Sequence, residues 1–181
     1  TALELRPTYT EARLMLATSL RRTGSAAEAL IHFDQLLASE PDVVEARFGR
    51  AMAYVQLHRY QEARDHLLQE MELYPDVQSF PHALARVLAA APDDRVRDGE
   101  RALVLIETLI QGQRNLDLGE TMAMVLAELG RFEEAISIQQ ELIEIARGSG
   151  LANRLPFLTN NLTLYQTEQP SRNPWQEGFV P

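Results

Sequence analysis

Apolar positions recur along this chain at helical spacing. Leu14, Leu16, Ala17 and Leu20 form one stripe ahead of Gly24, and Ala29, Leu30, Phe33, Leu36 and Leu37 form a second beyond it. Recurrence at three and four residues predicts an amphipathic helix, and a glycine between two such stripes predicts a tight turn. The whole arrangement then returns. Pro7, Pro41 and Pro75 are 34 residues apart, and the same shift pairs Glu11 with Glu45, Ala12 with Ala46, Ala17 with Ala51, Glu28 with Glu62 and Ala29 with Ala63. Thr8 with Glu11, Ser25 with Glu28, and Asp42 with Glu45 each set a capping oxygen three residues before a glutamate, which predicts helix starts at those places.

Further along, the pattern loosens. Leu84, Ala85 and Leu88 continue the first stripe and Ala102, Ile106 and Leu109 the second, but Ala102 follows Ala63 by 39 residues instead of 34. The extra residues fall in the turn from Ala91 to Gly99, and insertions in a repeat mark loops on one face. A fourth round uses Met122, Ala123, Leu126, Gly130, Phe132 and Ala135, with Arg147 where a closing proline would stand. Leu151, Leu155, Leu158, Leu162 and Tyr165 then form an amphipathic stripe with no partner after it, the pattern of a capping helix. Pro156 marks either a kink in that helix or its true start. From Thr167 onward, Pro170, Pro174 and Pro181 predict an extended tail, which holds the single tryptophan, Trp175.

A small residue between large ones, then alanine, an aromatic four residues on and a closing proline make up the tetratricopeptide pattern. The chain resembles that family through Leu16, Ala17, Leu20, Gly24, Ala29, Phe33 and Pro41, and again through Ala51, Tyr54, Ala63, Leu67 and Pro75. The resemblance implies an all-α, right-handed solenoid of antiparallel helix pairs. On this reading residues 1–7 end an interrupted unit, since Ala2, Leu3, Leu5 and Pro7 match the close of a second helix. Units follow at 8–41, 42–77, 78–115 (with the insertion) and 116–147, then the capping helix at 148–166 and the tail at 167–181. The chain is accordingly expected to be the C-terminal fragment of a longer array.

Composition narrows the chemistry. All 17 basic residues are arginine and cysteine is absent. An amine for Schiff-base or P-loop chemistry and a thiol for nucleophilic, disulfide or zinc-finger chemistry are therefore lacking. The net charge of −9 disfavours an electrostatic grip on nucleic acid or an anionic membrane. It divides as −4 over residues 1–77, −5 over 78–147 and 0 beyond, so the repeats are acidic and the tail neutral. Apolar runs are too short to span a bilayer and no signal-peptide pattern opens the chain, so a soluble segment is expected.

Candidate sites are weighed against structure. His32 and His66 stand 34 apart on successive second helices, but no third ligand accompanies them. Asp93, Asp94, Asp98 and Glu100 resemble a calcium loop only loosely, since Val96 occupies a ligating position and the closing glutamate is absent, and Asp98 is better placed as a helix cap. Glu133 and Glu134 belong to a first helical turn. No cofactor, metal or catalytic residue is expected, and no nucleic-acid partner.

The resemblance implies that first helices of each pair line a concave groove that holds polypeptide. That places a partner-binding groove at Leu14, Thr18, Arg21, Phe48, Met52, Gln56, His82, Arg86, Glu120 and Met124, with Phe48 and Met52 as an apolar centre. Phe48 is either an anchor there or packs beneath a neighbouring helix. Family members that clamp a C-terminal carboxylate use lysine and asparagine as well as arginine; of that set only Arg86 is present. A non-catalytic scaffold or adaptor for a protein or peptide partner follows, the partner being another protein or part of its own longer chain. The alternatives are a regulatory or substrate-presenting arm of an enzyme whose catalytic domain lies upstream, and self-association through a tail bearing Trp175 and Phe179.

Overall fold

The computed structural model describes residues 2–112, 115–175 and 181, and the side chains from Tyr9 onward. Phe179, the second aromatic of the tail, lies outside the described residues. All regular structure among the described residues is helical, with successive helices packed as pairs. One unit holds α1 (Ala2–Arg22), α2 (Ala26–Ser39), α3 (Val44–Gln56) and α4 (Tyr60–Leu73). A second, from Tyr74, holds α5 (Ser79–Ala90), α6 (Gly99–Gly112), α7 (Leu116–Glu128), α8 (Phe132–Gly148) and α9 (Leu155–Gln166).

The pairs turn by one device. The amide of Ser25 donates to Leu20 O at 2.8 Å, that of Arg59 to Tyr54 O at 2.9 Å and that of Arg131 to Leu126 O at 2.8 Å. Each six-to-one bond closes around a left-handed residue: Gly24 (φ +91), His58 (φ +56) and Gly130 (φ +75). His58 thus keeps the conformation of the glycine it replaces, a left-handed backbone that costs an L residue about 1–2 kcal/mol.

Helix starts depart from the sequence expectation. Ser25 is the N-cap of α2 without a side-chain capping bond, and α3 begins two residues after Asp42, with Val43 at its N-cap. No break occurs at Pro7, where an earlier repeat was expected to close: α1 runs unbroken from Ala2. Two other expectations hold. Asp98 caps α6 by accepting from the Arg101 amide at 3.0 Å, and Pro156 lies in the first turn of α9, marking its start.

In the first unit, Ala17, Phe33, Leu36 and Ala46 form a buried core between α1, α2 and α3. The Phe33 ring lies against Gly49 of α3, where a β-carbon would fall 2.4 Å from ring carbon Cζ. Small residues on α3 are therefore what allows the preceding aromatic to enter. Below them, Glu70 of α4 is fully buried and accepts two bonds of 2.8 Å from Arg47 Nη1. His66 Nε2 donates to the Arg47 carbonyl at 3.0 Å, while Nδ1 accepts from Arg50 Nη2 at 3.2 Å, an arrangement that fits neutral imidazole. Burial, then the Arg50 and Arg47 cations, hold its pKa down to about 4. The Glu70 carboxylate lies 3.2 Å from Nδ1 and is itself paired with Arg47 at 2.8 Å.

Two outcomes follow. Gly49→Ala should destabilise the protein by about 1–3 kcal/mol in urea unfolding, because the ring must leave its site. A depressed histidine pKa means that the unfolded chain takes up the proton first. The contribution of His66 is thus complete above pH 6.5, declines as pH falls towards 4, and amounts to about 2 kcal/mol between pH 7 and 5. His66→Gln should flatten that slope in parallel unfolding curves; an unaltered slope would show that the group does not titrate this way.

Candidate functional site

The expected groove residues do not share one environment. Leu14, Thr18, Phe48 and Gln56 are partly exposed on α1 and α3, whereas Arg21 and Met52 are buried. Met52 therefore does not present an apolar anchor beside Phe48; it belongs to the interior of the first unit. Burial lowers the Arg21 pKa to about 10. In the second unit His82 is partly buried, and Arg86, Glu120 and Met124 are buried.

Arg86 and Glu120 form the centre of the second unit's site. They are 34 residues apart, hence at one register on α5 and α7, which pack side by side. Arg86 is 3% and Glu120 1% exposed, so both charges have left water and each must find partners inside. Arg86 Nη2 donates to Glu120 Oε1, and Nη1 to Thr121 Oγ1 at 3.2 Å. Arg154, in the short turn before α9, covers the other side of the carboxylate, donating to Glu120 Oε2 at 2.7 Å and to Asp117 Oδ1 at 2.8 Å. His82 Nε2 lies 2.9 Å from Thr121 Oγ1, whose own proton goes to the Asp117 carbonyl at 2.9 Å. The imidazole is therefore the donor, and burial followed by the Arg86 charge holds its pKa down to about 4.

One guanidinium nitrogen of Arg86 is still to be placed, and it finds the tail. Nε donates to the Pro174 carbonyl at 2.8 Å, and the guanidinium carbon stands 5.3 Å from the centre of the Trp175 ring. Trp175 is 8% exposed, and Ser171 and Pro174 are buried as well. Further back, Arg172 donates to Glu128 Oε2, while Arg97 of the insertion loop donates to Glu128 Oε1 at 3.0 Å. The tail reaches this seat by reversing after α9 around Glu168 (φ +54), with the Gln169 amide bonded to Leu164 O at 2.9 Å. Trp175, considered above for docking into a neighbouring molecule, thus packs on its own unit.

Thr121, Arg154, Arg97 and the Pro174-Trp175 step were not among the expected site residues. The 34-residue spacing of Arg86 and Glu120 was a usable signal for the pair; nothing local in the sequence indicated which segment would lie on it. The same bonds remove Arg86 from any carboxylate clamp. The acids of the insertion loop are also engaged, Asp93 accepting from the Arg95 amide and side chain at 3.0–3.1 Å. Among the described residues no group of three or more His, Asp or Glu could hold a metal ion, and no helix is long and apolar enough to cross a membrane. A hollow of about 390 Å³ between α6, α7 and α8 is lined mainly by apolar side chains such as Leu116, Met122, Ile138 and Leu142. The Asn115 side chain at its edge already caps α7.

Comparison with known proteins agrees with this architecture. Models described as tetratricopeptide repeat match residues 2–77 and 121–148. A solved structure of MamA AMB-1 superposes with a TM-score of 0.59 at 16% identity, over 90% of this chain and 87% of that one, which is a likeness of fold. No curated protein sequence matches the chain.

Removing the Glu120 carboxylate should leave Arg86 buried without its counter-charge. Glu120→Ala is expected to cost about 3–5 kcal/mol in chemical unfolding. At sub-denaturing conditions the emission of Trp175, the single tryptophan, should move to the red as its seat loosens. Unchanged emission in a variant that is still helical by circular dichroism would mean that the pair does not hold the tail.

Proposed function

The chain belongs to the tetratricopeptide-repeat family, whose domains generally bind protein partners, and we propose that it is a non-catalytic scaffold holding non-helical polypeptide on the faces of its first helices. In the first unit the binding face comprises Leu14, Thr18, Phe48 and Gln56 from α1 and α3; in the second it comprises His82, Arg86, Glu120 and Met124 from α5 and α7. The buried members, Arg21 and Met52 included, shape these faces from below.

The observation that carries this reading is the bond from Arg86 to the Pro174 carbonyl. A main-chain carbonyl is common to every peptide, so a face that receives one through a fixed guanidinium suits non-helical polypeptide, whose carbonyls are free to accept. The non-catalytic part rests on the use of the polar groups. Arg86, Glu120, Thr121 and His82 are engaged with one another and with the tail, and none stands as a nucleophile beside a free base.

A photo-reactive phenylalanine analogue placed singly at Phe48, His82 or Val104 tests the faces. Val104 is exposed on α6, a second helix, and serves as the control. Partner crosslinks in cells are expected from positions 48 and 82 and not from 104. Equal crosslinking at all three, or crosslinking at 104 alone, would move binding to another surface.

A further inference from the structure

We infer that the α5/α7 seat recognises a proline–aromatic step in a non-helical peptide, the bend at Pro174-Trp175 being its resident example, and that an outside ligand of this chemistry binds by exchange with the tail. The inference rests on the peptide-holding reading above and gives it a ligand class.

The seat is specific because its guanidinium cannot turn. Glu120 and Thr121 take the two terminal nitrogens of Arg86, and Glu120 is fixed in turn by Arg154. The Arg86 plane is thus set before a ligand arrives, with Nε left for a carbonyl and its face for a ring. A flat cation held this way favours an aromatic residue directly after the bonded carbonyl. Proline at the preceding position suits the buried path. It has no amide hydrogen to satisfy away from water, and it disfavours helix at the residue before it, here Asn173. Arginine two residues before the proline adds the contact that Arg172 makes with Glu128.

The resident segment is a displaceable occupant. It is tethered through the left-handed Glu168, a conformation unfavourable for a residue with a β-carbon. A separate peptide carries the same ring and carbonyl without that turn.

The probe is a dye-labelled peptide of residues 169–175, Gln-Pro-Ser-Arg-Asn-Pro-Trp, titrated by anisotropy into the full chain and into its Trp175→Ala variant. Vacating the seat should make the variant bind at least about tenfold more tightly than the parent, since only the open fraction of the parent is competent. A peptide of the same composition with proline and tryptophan separated should not saturate. Arg86→Lys on the Trp175→Ala background keeps the charge opposite Glu120 but loses the planar face, and should weaken binding about tenfold or more. Lack of saturable binding to Trp175→Ala at millimolar peptide would overturn the inference, as would equal binding of the rearranged peptide. The rearranged peptide remains decisive even if Arg86→Lys does not fold. Loss of peptide binding with face-specific crosslinking intact removes this inference alone; loss of that crosslinking with peptide binding intact removes only the broader reading.

Discussion

A guanidinium and a carboxylate taken out of water impose the strictest condition on the second unit. Arg86 and Glu120 have 3% and 1% of their surface exposed, and a buried charge with an unfilled bonding position is far costlier than a buried methyl group. Thr121, Arg154 and the Pro174 carbonyl meet that condition between them. The tail's placement and the turn before α9 are therefore linked through one ion pair. His82 joins the same network as a neutral donor, because a second positive charge beside Arg86 would be uncompensated.

The first unit meets a similar condition differently. Glu70 is as deeply buried as Glu120, but its partners Arg47, Arg50 and His66 all come from α3 and α4. Its network is built on one helix pair, with Arg50 reaching out to Asp34 of α2 at 3.4 Å and Arg47 to the Pro41 carbonyl at 2.6 Å. That of Glu120 calls on α5, α7 and the turn before α9, and through Arg86 on the tail, so similar residue types give a local clasp in one unit and a longer-range one in the other.

The helices were legible in the sequence because their period reflects burial. Ala17, Phe33, Ala51, Ala63, Leu67 and Ala123 recur at intervals set by helix geometry and are all buried. The turns at Gly24 and Gly130 were legible too, and His58 takes up the same backbone conformation without being a glycine. Helix starts were less so, since a hydroxyl or carboxylate at the right spacing need not bond: Ser25 makes no capping bond, whereas Asp98 does. The site was half legible. Register placed Arg86 and Glu120 together, but exposure did not follow from register: Met52 and Met124 lie inside. The occupant of the face could not be read locally, because Pro174 and Arg86 are 88 residues apart and their contact is fixed only by the folded unit.

That separation bears on the order in which the unit is completed. Short-range turns such as Leu20 to Ser25 form by local search, whereas a contact across 88 residues awaits every element between its ends. During synthesis α5 and α7 are made well before the tail, so the Arg86 face exists for a time without Trp175 upon it. Docking of that indole follows the closure of the local turns. Until it docks, Arg86 lacks the carbonyl and the ring that it holds in the folded unit.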